Sequence, residues 1–124
     1  MAQLPFTPHI EGIIQKSKDL SVILKRNGVD VDILFHCFIS DLSLSCTSIF
    51  KKIGIDCEEL VKDSRNILHK KRKNKNISNK FKTDVRKLFK FCDNICRETY
   101  SLDYIPPEVI LMTFFEGDFI PKVI

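Results

Sequence analysis

Val29-Asp30-Val31-Asp32-Ile33-Leu34-Phe35-His36-Cys37-Phe38-Ile39-Ser40 is apolar on almost every side once wound at helical spacing. Such a helix belongs at the centre of a domain rather than on its surface. The pattern comes back further along. At a shift of 76 positions Val29, Asp32, Ile33, Leu34, Phe35, Phe38 and Ile39 return as Ile105, Glu108, Val109, Ile110, Leu111, Phe114 and Phe115. Upstream the recurrence holds at a shift of 75: Phe6, Ile10, Ile13, Ile14, Ser17, Leu20, Ser21 and Leu24 reappear as Phe81, Val85, Leu88, Phe89, Cys92, Ile95, Cys96 and Thr99. Apolar periodicity joined to fixed-offset recurrence indicates a duplicated helical unit, with one residue inserted in the second copy.

The punctuation around these runs divides the chain. Thr7-Pro8 reads as a helix start, because Thr7 can accept from an orphan backbone N–H and Pro8 has no N–H to leave unpaired. This first helix is predicted to run to about Arg26 and to stop at Asn27-Gly28, which tolerate a left-handed cap. The central helix follows over Val31 to Ser40. A short third helix carries Ile49, Phe50 and Ile53 and ends at Gly54, and a fourth opens on the capping-box form Asp56-x-x-Glu59 and buries Leu60, Ile67 and Leu68. Lys70 to Asn79 is polar and basic and reads as a linker. The second copy then supplies a helix over about Lys82 to Tyr100 and a central helix opening at Pro106-Pro107-Glu108 and broken by Gly117. Phe119 to Ile124 matches only the start of the third helix. The prediction is an all-α fold in a single domain, 1–124, of two pseudo-symmetric four-helix repeats: repeat one over 5–69, a basic linker over 70–79, and an incomplete repeat two over 80–124. The two central helices should pack together in the core.

Composition narrows the function classes. The chain has 124 residues, 44% hydrophobic and 29% charged, which is the balance of a soluble globular domain. No apolar run approaches the roughly 20 residues that cross a bilayer, so no membrane role is expected. The start MAQLPFTPHIEG lacks the order of a secretory signal, and five cysteines, an odd number, argue for a reducing compartment rather than a disulfide framework. The net charge of +4 is concentrated in His69-Lys70-Lys71-Arg72-Lys73-Asn74-Lys75. That run is the basis of the alternative reading, a helical nucleic-acid-binding protein using residues 69–75. It lacks the interleaved aromatics of a single-strand binder, and a steep loss of affinity with salt would separate the two readings.

In order, spacing and duplication the chain resembles the N-terminal domain of the Clp unfoldases, the Clp N domain. The residues that carry the resemblance are Phe6-Thr7-Pro8, Val29-Asp30-Val31-Asp32-Ile33-Leu34-Phe35 and Ile49-Phe50-Lys51-Lys52-Ile53-Gly54-Ile55-Asp56 in the first copy. In the second they are Phe81 and Tyr104-Ile105-Pro106-Pro107-Glu108-Val109-Ile110-Leu111. No G-x-x-x-x-G-K-[ST] phosphate loop accompanies them, since Gly12, Gly28, Gly54 and Gly117 stand alone. The resemblance implies a stand-alone Clp N-domain-like chain without an AAA+ module. Such a chain would be a non-enzymatic protein-binding domain of the Clp protease and chaperone system, located in the cytoplasm or, in a plastid-bearing organism, in the stroma. Its partners would be a Clp ATPase, the Clp protease core, an adaptor or a substrate polypeptide.

Asp32 and Glu108 sit at equivalent places in the first turns of the two central helices. As plain helix-start acids each complements the helix dipole by a few tenths to about 1 kcal/mol. The resemblance implies more: in some bacterial members the equivalent glutamates hold the guanidinium of phosphoarginine-tagged substrates, while a threonine and backbone amides at a helix start hold the phosphate. Thr7 matches that threonine, Lys82 stands in its place in the second copy, and Asp32 stands where the family has glutamate. On this expectation Glu108 takes the guanidinium and the phosphate lies near Phe81-Lys82. No metal, cofactor or catalytic residue is assigned, because Cys37, Cys92 and Cys96 fall on apolar faces and no His spacing joins them. With its fourth helix missing, repeat two should leave apolar surface uncovered around Leu88, Phe115 and Phe119. Such a surface is an interface for a partner or for a homo-oligomer.

Overall fold

A computed structural model describes residues 3–41, 50, 52, 54–70, 75–115 and 119–122. Among them five α-helices appear in order with two short strands: α1 (Pro8–Ile23), β1 (Asn27–Val29), α2 (Val31–Ser40), α3 (Cys57–Lys70), β2 (Ser78–Phe81), α4 (Thr83–Glu98) and α5 (Pro107–Thr113). The fold is all-α in its architecture. α3 is the fourth helix of the first copy. Of the short third helix expected before it, Ile49 and Ile53 lie outside the described residues. Phe50 is buried, and Gly54 takes a positive φ of 86° as Ile55 N–H reaches back to Phe50 O at 2.8 Å. Asp56 opens α3 by accepting from Glu58 and Glu59 N–H at 3.0 and 3.3 Å. The break expected at Gly117 is outside the described residues.

The duplication is visible in detail at the helix ends. α1 closes three residues earlier than expected. The left-handed position falls on Lys25 (φ 55°), not on Asn27-Gly28, with Lys25 N–H to Val22 O at 3.0 Å and Arg26 N–H to Ser21 O at 2.9 Å. That pair of bonds is a Schellman cap. The counterpart of Lys25 is Ser101, also left-handed at φ 51°, and Leu102 N–H bonds Cys96 O at 2.8 Å. Ser21 corresponds to Cys96 at a shift of 75, and Arg26 to Leu102 at 76. The inserted residue is therefore Tyr100, absorbed in the cap of α4.

The two strands are an addition to the expected helices, and they explain Gly28. β1 pairs in parallel with β2, with Asn27 opposite Ser78 and Val29 opposite Phe81. Gly28 (φ 116°) passes so close that an added Cβ would lie 2.7 Å from Lys80 O. Its glycine is required by the close approach, not by a helix stop. Ser78 and Asn79 accordingly belong to a strand rather than to the linker expected over 70–79. A single parallel bridge between Phe6 and Ile105 repeats the arrangement. In each case the segment before one copy's first helix bonds the segment before the other copy's central helix.

Side chains lock this exchange. Phe89 of α4 collects both entry phenylalanines, Phe6 at 5.0 Å and Phe81 at 5.1 Å between ring centroids, edge to face. Phe35 and Phe38 of α2 meet Phe114, the cap of α5, at 5.0 and 5.7 Å. Ile10, Ile13, Val85 and Leu88 are fully buried with Ile33, Leu34 and Ile110. The buried apolar faces of the two copies thus join in one core, the largest source of stability available to the chain. On α3, Leu68 is buried while Leu60 and Ile67 are only half-buried. Ser64 is the other deeply buried residue.

Candidate functional site

Helix starts and helix-start acids gather where the copies exchange backbone bonds. Thr7 caps α1, its Oγ1 accepting from Ile10 N–H at 3.4 Å, and Ile105 N–H donates to Pro5 O at 2.8 Å. The start of α1 is therefore bonded to the segment that leads into α5, whose first turn carries Glu108. In the other half Lys82 N–H donates to Val29 O at 2.9 Å, so the start of α4 is bonded to the segment leading into α2, whose first turn carries Asp32. This corrects the expected grouping of Glu108 with Phe81-Lys82. The parallel exchange joins Glu108's helix to the Thr7 segment and Asp32's helix to the Lys82 segment.

The four residues differ in how they are used. Lys82 occupies the N-cap position of α4 and makes no side-chain cap bond. Asp32 is half-buried, and its Oδ1 accepts from Lys122 N–H at 2.8 Å, which lays the last described residues over it. Glu108 is exposed and lines a groove of about 450 Å³ together with Tyr100, Leu102, Val109 and Met112. Two further acids, neither assigned a role from the sequence, hold the start of α2. Asp30 caps it, accepting from Ile33 N–H at 2.9 Å, and Asp84 reaches across from α4 to accept from Val31 N–H at 3.1 Å. Asp30 carries a local signal, an N-cap residue three positions before Ile33. Asp84 carries none, because its partner comes from the other copy.

Of the three residues expected to line an uncovered surface, Leu88 is a correction. It is fully buried, because like its counterpart Ile13 it faces inward, away from the side that a fourth helix covers. Phe115 is 44% exposed and tilts against Phe50 at 6.1 Å. Phe119 is half-buried, its ring tilted against Phe91 at 5.7 Å.

Two buried thiols, Cys37 and Cys92, are poised against chemistry. Burial pushes Cys37 and Cys92 up to about 11, and Cys92 Sγ lies 3.3 Å from Thr113 Oγ1. A nucleophile needs its thiolate favoured, and these sites disfavour it. Among the described residues no three His, Cys, Asp or Glu side chains converge as a metal site, and no helix is long and apolar enough to cross a membrane. In the basic run, His69 and Lys70 form the last turn of α3, and residues 71–74 lie outside the described residues.

The model of the Clp repeat N-terminal domain matches residues 5–122 of the chain. The chain belongs to the Clp N-terminal domain family. Among curated proteins no sequence matches it. Membership makes this Clp N domain a protein-interaction module of Clp systems in general, in a family of non-catalytic domains.

Proposed function

We propose that this Clp N domain recognises polypeptides for the Clp protease or chaperone machinery, as a substrate-recognition or adaptor-binding domain or as an accessory subunit. It does so through composite sites at the exchanged helix starts. The observation that carries this reading is the backbone junction of the Thr7 helix start with the segment leading to Glu108, beside an exposed carboxylate at the edge of an apolar groove. A carboxylate takes a guanidinium bidentately, and the first turn of a helix is a natural phosphate cradle. Asp32 and Lys82 form the second, weaker site, since Asp32 is shorter and already accepts from Lys122.

Titration calorimetry with a phosphoarginine peptide and its unmodified arginine counterpart tests this. Glu108→Gln should abolish binding of the phosphopeptide while changing stability by less than about 1 kcal/mol, the size of the lost dipole interaction. Asp32→Asn should weaken it less. Equal, weak binding of both peptides to the native chain would reduce Thr7, Asp32, Lys82 and Glu108 to helix-start residues.

A further inference from the structure

The groove beside Glu108 has a counterpart in the first copy, and there it is filled. Arg26 and His36 are both held by α3: Arg26 Nη2 donates to Leu68 O at 2.9 Å, and His36 Nδ1 lies 2.5 Å from Ser64 Oγ. At a shift of 76 these two residues become Leu102 and Met112, which line the groove. The groove therefore occupies in the second copy the seat that α3 occupies in the first, and among the described residues nothing covers it in that way. The floor has changed with it. Arg26 to Leu102 and His36 to Met112 replace two hydrogen-bonding groups by apolar ones, and Met112 and Tyr100 stand 38% and 48% exposed.

The electrostatics of the seat specify the occupant's end. In the first copy the final carbonyls of α3, the negative end of its dipole, meet the Arg26 guanidinium. In the second copy Leu102 offers no cation, and Glu108 adds an acid at the rim of the same groove. A helix seated there has to bring its own positive charge to that end, as α3 does with His69 and Lys70. Opposite the thioether of Met112 it also needs an apolar side chain where α3 has Ser64.

We infer that the groove lined by Leu102, Val109 and Met112 docks an amphipathic helix of another polypeptide. That helix lies as α3 lies on the first copy, with an apolar stripe at the Ser64 and Leu68 positions and basic residues in its last turn beside Glu108. This deepens the protein-recognition reading but does not depend on phosphoarginine.

The probe is a fluorescein-labelled peptide of residues 56–70 carrying Ser64→Leu, titrated by anisotropy with the 124-residue chain. Saturable binding is expected, at least ten-fold weaker to Met112→Glu and unchanged for Ile77→Glu, an exposed apolar position outside the groove. Replacing His69 and Lys70 of the peptide by Glu should weaken binding at least three-fold, and Glu108→Lys in the chain should restore it. Circular dichroism of Met112→Glu checks that the variant is folded, and Met112→Ser supplies a milder one. Both arginine peptides are titrated against the same native chain: saturable binding of the helix peptide beside equal, weak binding of the phosphoarginine peptide and its unmodified counterpart would sink the phosphoarginine reading alone, so the two readings fail separately. Binding that does not saturate, or that Met112→Glu leaves unchanged, overturns the inference. So does a peptide that fails to bind while the chain alone shows dimers in sedimentation that Met112→Glu abolishes, because the groove's occupant would then be a second copy.

Discussion

Ile39 and Phe115 occupy the same place in the two central helices, yet the first is fully buried and the second is 44% exposed. One turn earlier the contrast repeats: His36 is held against Ser64 of α3, whereas its counterpart Met112 stands in an open groove. On the opposite face the copies agree almost residue for residue. Leu34 and Ile110, Ile33 and Val109, Ile13 and Leu88, Ser17 and Cys92 are all buried in both. Among these matched helix positions, divergence in burial falls on the outer face. Positions that meet the other copy are constrained from both sides by packing, where a change of one methylene is felt. Positions on the outer face answer to whatever lies on them.

The strongest way to break that comparison is at the shared core. Leu34→Ala and Ile110→Ala should each cost about 2–5 kcal/mol in urea unfolding. The two costs should agree closely, since both side chains are sealed in the same core. A loss under about 1 kcal/mol at both positions would show that the copies do not meet where the matched faces indicate.

The outer face should part company in the same assay. Ile39→Ala, which removes a sealed side chain, should cost about 2–5 kcal/mol. Phe115→Ala, at an exposed ring touching only Phe50 among the described ring contacts, should cost about 1 kcal/mol or less. Equal costs would mean that Phe115 is covered in solution, and the contrast with Ile39 would be lost.

Most of the helical framework is legible in the sequence alone. The fixed-offset recurrence locates both central helices, both first helices and the apolar faces between them, because burial writes a period of 3.6 into the sequence. The strand exchange is not legible. β1 is only Asn27–Val29, too short to display a period, and its partner lies inside a stretch whose lysines read as a linker. Gly28 looks like a helix stop for the same reason: a glycine needed for close backbone approach and one needed for a cap are the same letter. The candidate site suffers most from this. Thr7, Asp32, Lys82 and Glu108 do lie at helix starts, but their grouping depends on a cross-copy pairing that no local spacing records. Leu88 departs from expectation because an apolar residue on a helix announces that it is buried without announcing against what.

The subtlest difference between the copies is one of protonation, and it sharpens the comparison at a single residue. Burial, and then the charges of Arg65 and His69, hold the His36 imidazole below its ordinary 6.5. Ser64 Oγ donates to Val61 O at 2.9 Å, which leaves its lone pairs to accept from a neutral imidazole's Nδ1–H. The native state thus prefers His36 uncharged. As pH falls below about 6.5 the unfolded chain takes up this proton before the folded one does, so stability contributed by His36 is complete above that pH and is lost as pH drops toward the folded value. His36→Met, which copies Met112, should remove that dependence while costing about 1 kcal/mol at pH 7.5 for the lost hydrogen bond. Urea midpoints of the two chains from pH 7.5 to 5 should therefore converge as the pH falls. Parallel profiles would show that α3 grips His36 no differently from solvent, and the first copy's covered face would then be held by packing alone.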